Sequence, residues 1–215
     1  PAGALIDPLT GAFAWTPTEE QGPGSYILTV TVADDGTPRL SDSKQFQVIV
    51  SEINQAPVLV GLTNRFVNEG ELLTFTATVT DPDLPKQGLT FALEDAPLGA
   101  AIEPNTGVFT WTPTEEQGQG VYSMTVKVTD TGDPALTDSK PLTVTIAEVN
   151  KKPRLTPVAN QAVGEGAVLL LTPKATDDDV PANSLTYSLG SGAPDGATVN
   201  STTGAFYWRP SESQG

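Results

Sequence analysis

The sequence predicts an all-β protein of tandem antiparallel Greek-key sandwiches, each about 96 residues long and arranged end to end, and three observations carry that prediction. The first is repetition: Trp15–Gly22 returns unchanged as Trp111–Gly118, and a looser copy fills Trp208–Gly215. Residues 1–54 and 97–150 are identical at 31 of 54 positions, far beyond coincidence. The second is alternation of apolar and polar residues with period two, with no sustained helical period. The third is punctuation: 19 Pro and 20 Gly bound short strand-like runs throughout the chain. A period near 96 is too long for a solenoid repeat and matches one small β-sandwich.

Residues 1–54 read as the C-terminal part of a first repeat, 55–150 as a complete repeat and 151–215 as the N-terminal part of a third, so the chain reads as a window on a longer array. In the complete repeat, short strands fit near 64–67, 89–93, 99–102 and 107–111. Leu73, Phe75, Ala77 and Val79 alternate with Thr74, Thr76, Thr78 and Thr80 as one strand, apolar on one face and Thr on the other. Tyr122, Met124, Val126 and Val128 alternate with Ser123, Thr125 and Lys127 on a further strand. Leu142, Val144 and Ile146 alternate with Thr143 and Thr145 on the last. Asn105-Thr-Gly107 and its counterparts at Gly11 and Gly204 suit tight turns in which Gly takes a positive φ. Phe109 and Trp111, two apart, point to one face, and Pro113 ends their strand by removing a ladder donor. Trp111 reads as a core anchor, with an exposed sugar-stacking platform as the alternative.

Composition removes whole classes of chemistry. With no Cys and no His there is no thiolate nucleophile, imidazole base, disulfide or ordinary zinc site. A net charge of −15 argues against nucleic acid as a partner. No apolar run approaches the length of a membrane helix. Carboxylates, hydroxyls and carbonyls remain, and these oxygen donors favour hard cations.

Pro97–Ile102, Thr106–Pro113 and Gly120–Asp130, with Val32–Ser41 and the Glu52-Ile-Asn54…Ala56-Pro57 linker, resemble the putative-Ig and dystroglycan-type cadherin-like repeats of large bacterial surface and secreted proteins. The resemblance covers the whole chain. It implies Ig-like or cadherin-like sandwiches in series, an adhesive or spacing role outside the cell or on its surface, and Ca²⁺ at the joints. For the first joint it implies Glu52 and Asn54 in the linker, with Asp81, Asp83 and Asp130 from the following repeat. For the second it implies Glu69 and Glu116 from the preceding repeat, Glu148 and Asn150 in the linker, and Asp177 and Asp179 beyond it. The linkers are leaner in acids and amides than a cadherin linker, and Lys151 and Lys152 stand where further oxygen ligands would be expected.

The favoured function is therefore a non-catalytic structural and adhesive spacer whose partners are the neighbouring repeats of its own chain. Short linkers containing Pro57 or Pro153 would restrict the angle between repeats. One alternative is self-association into a surface filament or sheath. Another is a polysaccharide-binding accessory module, for which only Tyr207 falls on the polar side of its strand. An enzyme is disfavoured, because Glu115 and Glu116 are adjacent in one repeated loop rather than set across a cleft. A Lys–Asn isopeptide link at Lys44 or Lys140 has no supporting pattern.

Overall fold

A computed structural model describes residues 1–215 and contains only β-strands and three single 3₁₀ turns. The tandem antiparallel all-β architecture is the one the alternation implies. Arg65–Asn68, Thr137–Ala147, Val121–Asp130 and Leu89–Glu94 follow one another across a four-stranded sheet. Ala101–Ile102, Val108–Trp111 and Leu73–Thr76 form a three-stranded sheet, and Val58–Val60 pairs with Thr78–Thr80.

The expected single strand Leu73–Thr80 is broken at Ala77 into Leu73–Thr76 and Thr78–Thr80. The first piece pairs with Val108–Trp111 and the second with Val58–Val60, so the chain changes sheets between them. Ala77 is buried at the break and donates its N–H to the Gly107 carbonyl at 2.9 Å. Side-chain alternation continues through the break, which is why the pattern alone does not show it. Val58–Val60, absent from the expected strands, exists because that second piece supplies its partner.

By compactness the chain divides into two units. One comprises Pro1–Arg65, Leu73–Trp111 and Tyr122–Val144; the other comprises Phe66–Leu72, Thr112–Val121 and Thr145–Gly215. The first unit holds the larger core. Leu59, Phe109, Val126, Val128, Leu142 and Val144 have no exposed surface, and Trp111 has 1%. Register explains the packing. Phe109 lies opposite Phe75, and their rings stack at 4.8 Å. Trp111 meets Tyr122 edge-on at 5.3 Å, a contact repeated by Trp15 and Tyr26 at 5.0 Å. Trp111 is thus a core anchor, and the sugar-platform alternative fails for it because its ring does not reach solvent. The unit also contains the long hairpin Gly24–Ala33 with Ser41–Val50, in register from Gly24 opposite Val50 to Ala33 opposite Ser41.

The second unit contains two small sheets. Arg154–Leu155 pairs with Ala175–Thr176, while Phe206–Trp208 lies between Leu169–Leu171 and Thr198–Val199. Tyr207 is 42% exposed, on the polar side expected of it. Lys140 donates to the Leu59 carbonyl and Lys44 sits by exposed Asp42, so neither lysine is paired for an isopeptide link.

Candidate metal centre

The recurring Thr-Glu-Glu-Gln segment has a local reason to place one glutamate reproducibly. Thr18 and Thr114 begin single 3₁₀ turns, Glu19–Gln21 and Glu115–Gln117. Gln21 Oε1 accepts the Thr18 N–H at 3.0 Å, and Gln117 Oε1 accepts the Thr114 N–H at 2.9 Å. Each turn is closed by its own glutamine. Its first residue, Glu19 or Glu115, is thereby fixed, while the next, Glu20 in one copy and Glu116 in the other, follows one residue on. Glu116 is exposed.

Two carboxylate clusters result. In the first unit, Glu19, Glu52 and Asp83 bring one carboxylate oxygen each within 4.8 Å of the others. Glu19 Oε1 accepts the Leu84 N–H at 3.1 Å, and Glu19 Oε2 accepts from the Gln55 amide at 3.3 Å. Asp83, 1% exposed, accepts the Gln55 N–H at 3.1 Å and the Gln87 amide at 2.8 Å. Gln87 also donates to Asn54 Oδ1 at 2.5 Å, and Asp81 Oδ1 accepts the Asp83 N–H at 3.0 Å. Asn54 in turn donates to both oxygens of Asp130 at 3.2 Å. A Cβ on Gly132 would overlap the Asn54 side chain, so glycine makes room for this bridge.

In the second unit, Glu69, Glu115 and Glu148 converge within the same 4.8 Å. Glu69 is 6% exposed, on the turn that Gly70 closes with a φ of 72°. Glu69 Oε1 accepts the Val149 N–H at 3.3 Å. Glu115 Oε1 accepts the Val180 N–H at 3.3 Å, as Glu19 accepts that of Leu84. Asp179 Oδ1 accepts the Lys151 N–H at 2.9 Å. Asn183 donates to Asp179 Oδ2 at 2.6 Å and to Asn150 Oδ1 at 2.9 Å, and Asp177 Oδ1 accepts the Asp179 N–H at 3.2 Å. A Cβ on Gly118 would overlap Glu69 Oε2 and lie 2.9 Å from Glu148 Oε2.

Both clusters leave buried acceptors with no donor. In the first these are Glu52 Oε1, Asp81 Oδ2 and Gln87 Oε1; in the second, Glu69 Oε2 and both oxygens of Glu148. Charge crowding follows. Burial, then the charges of Glu69, Glu115 and Asp179, push the Glu148 carboxyl above its ordinary pKa. Glu52 is pushed up in the same way by burial, then by Glu19 and Asp83. Glu115 moves the other way, held low chiefly by its hydrogen bond with Lys151, which is itself raised by that bond. Burial alone would raise Asp130, but the Leu136 and Gly132 N–H groups and Asn54 hold it low. Like charges gathered around undonated oxygens, with no nitrogen or sulfur ligand among them, fit a hard cation.

Among the residues expected to bind metal, Glu52 and Asp83 sit in one cluster and Glu69 and Glu148 in the other. Asn54, Asp81 and Asp130 are joined to the first cluster by hydrogen bonds, and Asn150, Asp177 and Asp179 are linked around the second. Glu116 is not brought in; its neighbour Glu115 takes that place because the capped turn fixes the first glutamate. Glu19, 96 residues before Glu115, takes the corresponding place in the first cluster and was not among the expected residues.

Antiparallel sheets in a repeating sequence, with two clusters of carboxylates, define a tandem cadherin-like, Ig-like β-protein. The chain belongs to the family described as Putative Ig domain, whose family model matches residues 56–147 and 152–215. Among curated relatives, human cadherin-related family member 2 is 30% identical over 214 residues, covering 87% of this chain and 16% of its own length. Mouse cadherin-23 is 26% identical over 211 residues, covering 88% of this chain and 6% of its own. The protocadherin-like wing polarity protein stan of Drosophila melanogaster is 27% identical over 159 residues, covering 69% and 4%. This chain therefore spans a small part of the curated relatives it matches. Among solved structures, mouse cadherin-23 EC22-24 aligns with a TM-score of 0.60 at 22% identity, covering 98% of this chain and 73% of that one. Human CDH23 EC21-23 aligns with a TM-score of 0.60 at 23% identity, covering 97% and 72%. These likenesses establish the fold. No helix is long and apolar enough to cross a membrane.

Proposed function

We propose that the chain is a non-catalytic structural and adhesive spacer of an extracellular or cell-surface protein, with repeats at 1–54, 55–150 and 151–215 joined through Ca²⁺-binding junctions. The single observation that carries this reading is the twofold occurrence of a carboxylate cluster with buried, undonated oxygens. At the first junction Glu19, Glu52 and Asp83 would hold the ion, with Asp81 and Asn54 beside them. At the second, Glu69, Glu115 and Glu148 would do so, with Asp179 beside them. A bound divalent cation supplies charge neutralisation and a multidentate link between linker and neighbouring loops. The chain's own residues supply the rest: the capped turns fix Glu19 and Glu115, and the amides of Gln87 and Asn183 hold Asp83 and Asp179 in place. Membership in a family of repeat domains and the cadherin-like fold support the adhesive role.

The test is thermal unfolding in EDTA, in millimolar CaCl₂ and in MgCl₂. A ligand bound only by the folded state raises the melting temperature according to RT ln(1 + [L]/Kd). The expected result is a Ca²⁺-specific rise that falls in Glu52→Gln and in Glu148→Gln and is absent when both are changed. Identical melting in Ca²⁺ and EDTA would overturn the metal reading and leave a spacer held by its linkers.

A further inference from the structure

The two clusters are built from corresponding residues but differ at one position that carries charge. Gln55 and Lys151 are 96 residues apart and occupy the same place in the two linkers. Both backbone N–H groups donate to the aspartate of the following loop, Gln55 to Asp83 at 3.1 Å and Lys151 to Asp179 at 2.9 Å. Both side chains reach the same oxygen of the capped glutamate: the Gln55 amide bonds Glu19 Oε2, and the Lys151 ammonium pairs with Glu115 Oε2. The first cluster thus receives a neutral donor where the second receives a full positive charge. Glu69, 6% exposed with Oε2 undonated, and Glu148, with neither oxygen donated to, each bring a carboxylate oxygen within 4.8 Å of one of Glu115.

We infer that Lys151 is a resident counter-cation of the second cluster, partly neutralising it when no divalent ion is bound and lowering its affinity for one. This rests on the reading of the clusters as cation sites. The ammonium opposes a divalent cation in two ways. It repels the incoming charge, and it holds Glu115 Oε2, an oxygen the ion would otherwise take. At the first cluster Gln55 repels nothing, and its amide can be shed at the cost of one neutral hydrogen bond. The two junctions therefore answer Ca²⁺ differently. The first depends on the ion, while the second keeps a partial substitute in its own linker.

The inference predicts two effects of opposite sign from one substitution. Half of the Lys151 side chain is exposed, so Lys151→Gln, which installs the residue of the first linker, should fold normally. Ca²⁺ titration calorimetry in a Glu52→Gln background, which isolates the second cluster, should show affinity rising about tenfold or more in Lys151→Gln. In EDTA the same substitution should lower the melting temperature by about 1–3 °C, because Glu115 loses its partner and the carboxylates are left to repel one another. The reciprocal Gln55→Lys, measured in a Glu148→Gln background, should weaken the first site by a similar factor. Calcium binding that is unchanged or weakened by Lys151→Gln overturns the role of Lys151 while leaving the sites intact. No binding to the wild-type protein or to any variant overturns the cation sites, and this inference with them.

Discussion

Gly107 and Glu103 show how much a single residue decides in the recurring turn. Gly107 has a φ of 69°, and a Cβ there would lie 3.0 Å from the Phe91 ring, so both backbone and core oppose any side chain. Gly107→Ala should cost about 1–3 kcal/mol, read from urea unfolding. The turn's opening residue is Asp7, Glu103 or Asn200 in the three copies, and each side-chain oxygen accepts two N–H groups ahead of it. The Glu103 carboxyl is held below its ordinary pKa chiefly by a hydrogen bond with the Thr106 side chain. A depressed folded-state value means stability that is complete above the unfolded pKa and lost as pH falls through the folded one. Glu103→Gln should therefore melt below the wild type at pH 7 and converge with it in acid, once the Glu103 carboxylate of the folded protein is protonated. A difference that is constant with pH would show that the charge contributes nothing. At this scale the sequence was partly legible. Glycine at a positive-φ turn is a property of residue type, whereas the choice of Glu115 over Glu116 depends on the direction of a capped turn and is invisible in adjacent letters.

At the scale of elements, corresponding strands are not equally loaded. Phe109 has no exposed surface and stacks on Phe75, whereas its counterpart Phe13 is 38% exposed and touches Phe46 edge-on. Phe109→Ala should cost about 3–5 kcal/mol, and Phe13→Ala roughly a third of that or less, in paired denaturant titrations. Equal costs would contradict the burial difference. The long strands Val121–Asp130 and Thr137–Ala147 were legible because one buried face and one Thr-rich face impose strict alternation. The sheet change at Ala77 was not, since it is made by a backbone bond to Gly107 from thirty residues on and leaves alternation untouched. Sequence pattern reports which face is buried and is silent about which neighbour a strand chooses.

For the whole molecule, the net charge of −15 and the arrangement of acids describe one property. Most acids are exposed, but Glu69, Asp83, Asp130 and Asp179 are buried at or beside the two clusters. Donated hydrogen bonds offset part of the cost of burying Asp83, Asp130 and Asp179, whereas Glu69 Oε2 has no donor. The pairing of linker acids with Asp-x-Asp loops was legible because repetition and the cadherin-like resemblance both pointed to them. That Lys151 stands among the acids was legible, but which carboxylate it pairs with was not, because its contact with Glu115 depends on the capped turn. The most direct measurement is equilibrium dialysis of the chain against ⁴⁵Ca²⁺ at millimolar free calcium. The account predicts two bound ions per chain, falling to one in either Glu52→Gln or Glu148→Gln. A chain that retains no calcium above the buffer would contradict it.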